Sequence, residues 1–261
     1  MQFDYGAITD VGRVRANNED AVTVDTARGV AVLADGMGGY NAGEVASALA
    51  VDLVVGEMAR WLDEAGEVAG ARELRRAMEI CVDTANRAIF DAANTHAAYA
   101  GMGTTLVMAV LREGMALIGH VGDSRAYRWR GGLLEQLTRD HSLLQEQIDI
   151  GLITPEEAAA SGNRNLVTRA LGVEDTVLLD LREVDLQDGD QLLLCSDGLN
   201  DLVRDEEMAQ VLAGADAPDA KCQSLVDLAN VRGGRDNVSV IIAQVRELPK
   251  KSGVVSKLLR K

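Results

Sequence analysis

The chain is 261 residues long, 47% hydrophobic and 3% aromatic, with a formal net charge of −15. That length and apolar content support one large domain or two small ones around an aliphatic core, and exclude general disorder. The acidity repels a phosphate backbone and the shortage of rings leaves little to stack on bases, so nucleic acid is excluded as a partner.

The charge is uneven. The last twelve residues, "KKSGVVSKLLRK", hold five Lys or Arg and no acid, so the remainder is more acidic than the total. Residues 247–261 read as a solvated basic tail; a shortened linker and a weak anchor for acidic lipid are the other readings. Cys81, Cys195 and Cys222 are widely spaced, with no CxxC, and fit core positions in a reducing compartment. No signal peptide opens the chain and no apolar run approaches the ~18 residues needed to span a bilayer. The expected location is the cytoplasm.

In chain order, "AVTVDT" and "GVAVLA" are apolar, β-branched and bounded by turn residues, which predicts two strands. From Gly43 the period becomes helical, with Ala46, Leu49, Ala50, Leu53 and Leu62 recurring, and Asn41 with Glu44 resembles a capping box. A second helix is predicted over about 71–93, with Leu74, Met78, Cys81, Ala85 and Ile89 on one stripe. Four strands follow: "TTLVMAVL", "MALIGHVG", "SRAYRWR" and "LLEQLT". The turns between them contain Glu113-Gly114, Gly122-Asp123 and Gly131-Gly132, and connections this short predict antiparallel pairing. Residues 141–172 are polar and weakly helical and read as an inserted subdomain. Strands return at "TVLLDLREVDL" and "DQLLLCSD", helices at 205–213 and 218–231, and a last strand at "NVSVIIAQV".

Helices fall in two blocks rather than between successive strands. This predicts an α+β fold with antiparallel sheets, and about ten strands imply two packed sheets.

Three strands share an unusual end. Asp35 closes "GVAVLAD", Asp197 closes "DQLLLCSD", and Asp236 immediately precedes "NVSVIIAQV". One such aspartate is ordinarily a turn former or a helix cap. If these strands are neighbours, however, three carboxylates meet at one edge of the core, where like charges repel unless a cation joins them. All-oxygen ligation indicates a hard ion, Mg2+ or Mn2+. His96, His120 and His141 are scattered, and none pairs with another His or Cys at zinc-ligand spacing. Glycine after Asp35 would let the backbone turn sharply and bring a carbonyl near the metal.

Six segments then recur in order: "DVGRVRANNED" from Asp10, "ADGMGGYNAGEVAS" from Ala34, "GMGTTLVMAVL" from Gly101, "GHVGDSRAYRWR" from Gly119, "SDGLNDLV" from Ser196 and "GGRDNVSVII" from Gly233. Together they resemble the metal-dependent protein phosphatases, the PPM or type 2C family, in its compact bacterial form. The resemblance runs from about Phe3 to Val245.

It implies a central sandwich of two antiparallel β-sheets flanked by α-helices on both sides, in a domain over 1–246. It implies two Mn2+ or Mg2+ ions at one end, with Asp35 bridging both, Asp197 and Asp236 completing one site and the Gly36 carbonyl serving the other. Glu19 and Asp20 would hold metal-bound waters, and Asp123 would help bind a third, weaker ion beside Asp197. Arg15 would grip the phosphoryl oxygens. A hydroxide bridging the two metals would attack phosphorus in line, with no phosphoenzyme. Several eukaryotic members carry a histidine as proposed general acid where this chain has Met37; a metal-bound water would take that role. His141 is either an alternative donor or a structural hydrogen-bonding residue. Residues 141–172 fall where bacterial members carry a mobile flap, and Arg164 and Arg169 would meet substrate or simply be solvated. The implied partners are phosphorylated proteins, substrates of a cognate Ser/Thr kinase, and a monomer is expected.

Competing phosphate chemistries lack their motifs: there is no GxxxxGK[ST] loop, dinucleotide fingerprint or GxSxG elbow. The remaining rivals are a binding module of the same fold without turnover and a phosphatase of a small metabolite.

Overall fold

The computed structural model describes residues 2–38, 42–65, 70–160 and 166–246. Strands β1 (Gln2–Asp10), β2 (Asp20–Asp25) and β3 (Val30–Met37) lead into two long helices, α1 (Ala42–Ala65) and α2 (Ala71–Thr95). After a 3-10 turn come β4 (Gly103–Thr104), β5 (Leu106–Arg112), β6 (Met115–Val121), β7 (Arg125–Arg130) and β8 (Leu133–Gln136). Short helices α3 (Leu143–Asp149) and α4 (Pro155–Ala160) precede β9 (Asp180–Asp185) and β10 (Gln191–Cys195). The chain closes with α5 (Asp197–Asn200), α6 (Asp205–Ala213), α7 (Pro218–Val231) and β11 (Val238–Arg246).

The strands form two antiparallel sheets. One has the order β1-β11-β10-β7-β8; the other runs β2-β3-β5-β6-β9, with β4 paired to β3. Period-two alternation assigns each strand face to a different core. In β3, Val30, Val32 and Ala34 pack under α1 and α2, while Ala31 and Leu33 face the opposite sheet. In β11, Ile241, Ala243 and Val245 fill the space between the sheets, and Val238, Val240 and Ile242 pack against the side carrying α6 and α7. Both faces are covered, so these strands read as continuous apolar runs. Each fully buried Leu, Ile or Val contributes roughly 1.5–3 kcal/mol, and that excess holds the sheet ends rigid where charge collects. The resulting layers are α-β-β-α, as the sequence predicts.

Three expectations need correction. First, the hydrophobic pattern does not predict strand β1. It is an edge strand, mostly half-buried, and its polar sequence QFDYGAITD carries little hydrophobic signal. It nonetheless pairs with β11 along its whole length. A side chain at Gly6 would fall 2.5 Å from the backbone of Pro218 and Asp219, so glycine there admits the start of α7.

Second, β6 and β7 do not pair despite their short connection. β6 pairs with β5 and β9, while β7 pairs with β10 and β8. Residues 122–124 therefore cross from one sheet to the other at the end of the sandwich, which places Asp123 there.

Third, the backbone does not turn at Gly36. Strand β3 continues through Gly36 and Met37, paired with Thr104 and Gly103. Glycine is required for space: a β-carbon at Gly36 would overlap the Gly43 carbonyl and lie 2.6 Å from the Glu19 carbonyl oxygen.

The segment 141–172 contains α3 and α4, and its ends are stitched down by the isolated bridges Ser142↔Val167 and Thr104↔Leu171. Asn41, Arg164 and the tail 247–261 lie outside the described residues.

Candidate active site

The site is assembled from both sheets at one end of the sandwich. Asp35 lies on β3 with the same parity as Ala31 and Leu33, so it faces the gap between the sheets. Its register partner across the ladder is Asp20 on β2. Asp197 opens α5 directly after β10, and Asp236 precedes β11. Because β10 and β11 are hydrogen-bonded neighbours, those two carboxylates emerge side by side opposite Asp35.

A cleft of about 230 Å3 opens there. Arg15, Glu19, Asp35, Gly36, Asp123, Asp197 and Asp236 all line it, with Met37 at its wall. Asp20 is the one predicted residue outside the lining. It sits just beneath, 8% exposed, accepting a 2.9 Å hydrogen bond from the Ser196 hydroxyl.

The carboxylates are held against their mutual repulsion. Burial pushes the Asp35 carboxyl well above its ordinary range, and Asp20, Asp197, Asp123 and Asp236 push it further. Burial raises Asp197 likewise, with Asp123 and Asp236 adding to it. Burial takes Asp20 and Asp123 each up to about 6, and it also raises Glu19. Two buried carboxylate oxygens, Asp20 Oδ1 and Asp197 Oδ1, have no hydrogen-bond partner among the described residues. An all-oxygen donor set with orphaned anionic oxygens fits hard divalent cations.

Arg15 is half-exposed at the mouth. Its Nη2 donates to Asp236 Oδ2 at 2.6 Å, which raises the guanidinium pKa.

Several supporting residues were not singled out from the sequence. Asn237 is buried and ties three segments together: its Oδ1 accepts from the Glu19 N–H at 2.8 Å, and its Nδ2 donates to the carbonyls of Val11 and Asn17. It thereby fixes the loop that carries Arg15. Thr104 and Thr105 bind the Asp35 backbone: Thr104 Oγ1 donates to the Asp35 carbonyl, and Thr105 Oγ1 accepts from the Asp35 N–H. Thr105 Oγ1 also lies 2.7 Å from Ser124 Oγ, connecting Asp35 to the Asp123 crossing. Each belongs to a quoted motif, so adjacency to a predicted ligand was the available signal.

The histidines are not all scattered, which corrects the sequence reading. His120 and His141 stack with centroids 4.7 Å apart, and Asp180 joins them. The sequence cannot show this because β6, β9 and the segment between β8 and α3 meet only in three dimensions. The group already has its cation: Arg169 Nη1 donates to Asp180 Oδ1 at 2.8 Å and lies 3.0 Å from His141 Nε2. His141 Nδ1 accepts from the Gly122 N–H, while the His141 N–H donates to the Gly122 carbonyl. Burial holds both imidazoles below their ordinary pKa. His141 thus pins the start of the 141–172 segment to the Asp123 crossing.

The two-sheet sandwich thus carries an oxygen-rich cleft at one end. Residues 12–225 match the family model described as Protein phosphatase 2C, and the chain belongs to that family, an enzyme of the protein serine/threonine phosphatase class. It is 39% identical to Protein phosphatase PhpP of Streptococcus pneumoniae over 94% of this chain and 98% of that protein. It is 38% identical to the serine/threonine phosphatase stp of Listeria monocytogenes, over 93% and 96%. The crystal structure of the Mycobacterium tuberculosis phosphatase PstP/Ppp superposes with a TM-score of 0.86 at 38% identity, over 95% of this chain and all of that one. The PstP catalytic domain solved with two manganese ions superposes with a TM-score of 0.81 at 37% identity, over 94% and 99%.

Proposed function

We propose that the chain removes phosphate from phosphoserine and phosphothreonine in proteins, with two divalent cations, Mn2+ or Mg2+, at the carboxylate end of the sandwich. The observation that carries this reading is the meeting of Asp35, Asp197 and Asp236 on one cleft beside Arg15. Asp35 would serve both ions, Asp197 and Asp236 would complete one site, and the Gly36 carbonyl would serve the other. Glu19 and Asp20 would act through water, and Asp123 with Asp197 would take a third ion. Bound there, divalent cations would supply Lewis acidity, lowering the pKa of water and offsetting charge on the phosphoryl oxygens.

The chain's own residues supply position. The planar guanidinium of Arg15 matches two phosphoryl oxygens, and its exposure at the mouth lets it reach them. Asn237 keeps its loop in place. Met37 has no proton to give, so the leaving oxygen is protonated from water. Direct attack by water without a phosphoenzyme is part of this reading, and two features support it: among the described residues the lining contains no Cys or His, and its aspartates are those that would hold the cations. Its one hydroxyl, Thr105, is engaged with Ser124 and the Asp35 N–H. Three buried, unpaired cysteines favour a reducing compartment such as the cytoplasm. Among the described residues no helix is long and apolar enough to cross a membrane.

The test is Asp197→Asn assayed on phosphopeptides, p-nitrophenyl phosphate and sugar phosphates, with Mn2+ and with EDTA. Loss of turnover with unchanged circular dichroism is expected, because one ligand is removed while the core stays intact. Near-normal turnover removes Asp197 from the mechanism. Wild-type protein that binds phosphopeptide without hydrolysing it points to the binding-module reading, and a preference for sugar phosphates points to a metabolite phosphatase.

A further inference from the structure

Two loops at the mouth of the cleft carry arginines that the chemistry above does not use. The loop after β1 brings Arg15 to the cleft, and the loop before β11 brings Asp236. The loops are locked together: the Arg13 N–H donates to the Gly234 carbonyl at 2.7 Å, and Asn230 Nδ2 donates to Asp10 Oδ1 at 3.1 Å. A β-carbon at Gly234 would lie 2.9 Å from Arg13 Cγ, and one at Gly233 would lie 3.8 Å from Arg235 Cγ. The stems of Arg13 and Arg235 therefore leave from the same turn, beside the opening where Arg15 stands.

Such a group of cations runs against a net charge of −15, and its members are not equally engaged. Arg232, on the same turn, donates to the Glu207 carboxylate at 2.7 Å and to the Leu202 carbonyl at 2.8 Å. The Arg13 side chain is 58% exposed and comes no closer than 3.8 Å to Asp10 Oδ1, which already accepts from the Gly12 N–H and from Asn230. Arg235 is exposed, with no hydrogen-bond or ion-pair partner among the described residues. Each guanidinium fork can pair with two oxygens of a carboxylate or phosphate. Val14, between Arg13 and Arg15, is 68% exposed. A polypeptide would cover that apolar side chain; a free inorganic ion would not.

We propose that Arg13 and Arg235 form a basic rim that recognises a second anionic group on the substrate polypeptide, a carboxylate or a further phosphate, close in sequence to the phosphorylated residue. The inference rests on the phosphoprotein reading above. Arg13 lies two residues from Arg15 and Arg235 adjoins Asp236, so the rim is within reach of a short extended peptide, which advances about 3.3 Å per residue. Neither arginine lines the cleft, and both are exposed loop side chains, so they can be altered without disturbing the core or the carboxylates. Ion pairs this open to solvent are individually weak and screened by salt. The rim therefore selects among substrates rather than supplying most of their affinity.

The test is a phosphothreonine peptide set in an alanine background. Glutamate, glutamine, lysine or a non-hydrolysable phosphonate analogue of phosphoserine is placed in turn at each of three positions on either side of the phosphothreonine. Wild-type protein should show, at one position, about fivefold higher kcat/KM for glutamate than for glutamine, a larger gain for the phosphonate, and lysine lowest. Both gains should shrink in about 0.5 M NaCl. Arg13→Gln and Arg235→Gln should each lower the glutamate preference to about twofold, and the double variant Arg13→Glu/Arg235→Glu should favour lysine. Hydrolysis of p-nitrophenyl phosphate, which carries no flanking residue, should be unchanged in all three variants.

No gain for either anion at any position, in protein that hydrolyses the peptides, overturns the rim and leaves the phosphatase reading standing. An anion preference that survives the double charge reversal also overturns it. A preference for the phosphonate alone, lost in the double variant, supports the rim and assigns it to a second phosphate rather than a carboxylate. Failure to hydrolyse any phosphopeptide while hydrolysing p-nitrophenyl phosphate would overturn both readings together.

Discussion

Replacing Asp123 with asparagine should stabilise the metal-free protein at neutral pH. The carboxyl is buried at the sheet crossing, and burial with the nearby Asp140 raises it to about 6 from the ordinary 3.8. For an acid whose folded pKa lies above its unfolded value, stability is fully present below the unfolded pKa and is lost as pH rises through the folded one. At about 1.36 kcal/mol per pKa unit, the cost of ionising Asp123 in the folded state is roughly 3 kcal/mol at pH 7 and roughly 0.5 kcal/mol at pH 4. Asparagine keeps the shape and carries no charge, and it removes one of the charges that raise Asp197. For a domain of this size 1 kcal/mol corresponds to about 2–4 °C, so a gain of several degrees is expected at pH 7 in EDTA. Thermal unfolding by circular dichroism at pH 7 and pH 4, both with EDTA, measures it. A destabilised variant at pH 7, or an equal gain at both values, would refute the electrostatic account of this cluster.

The same sign governs the metal itself. Because Asp20 and Asp123 are raised to about 6, with Asp35 and Asp197 raised too, protons compete with cations below neutrality. The rise in Tm on adding Mn2+ should therefore grow from pH 4.5 to pH 7.5; a shift independent of pH would place the ions elsewhere. Arg15→Ala should raise KM for phosphopeptide at least tenfold while leaving kcat within a few-fold. Its half-exposed pair with Asp236 is of the kind that contributes about 0–1 kcal/mol, so Tm should barely move, and an unchanged KM would make Arg15 structural. Gly36→Ala should cost roughly 2 kcal/mol or more, as overpacked core substitutions do, because its methyl would meet the Gly43 and Glu19 carbonyls. Chemical denaturation reads that loss, and a variant as stable as wild type would show that β3 and α1 can separate freely.

Much of this molecule is written locally. Strands covered on both faces announce themselves as unbroken apolar runs, and α6 and α7 fall where their periodicity puts them. The motif order named the family, and the structure brings Arg15, Asp35, Asp123, Asp197 and Asp236 to one cleft. What escaped the sequence depends on which strand lies beside which. β1 lacks a hydrophobic signature because its partner β11, not its own composition, secures it. The turn at Gly122 looks like a hairpin, yet its strands belong to opposite sheets, and that crossing delivers Asp123 to the site. Neither His120 nor His141 records that the other is stacked upon it, and Ser196 gives no hint that its hydroxyl serves Asp20 from the facing sheet. Periodicity and turn chemistry act over a few residues and can be read one segment at a time. Pairing, crossing and burial of charge are decided between segments that lie well apart in the chain, as Ser196 does from Asp20, so only the assembled fold determines them.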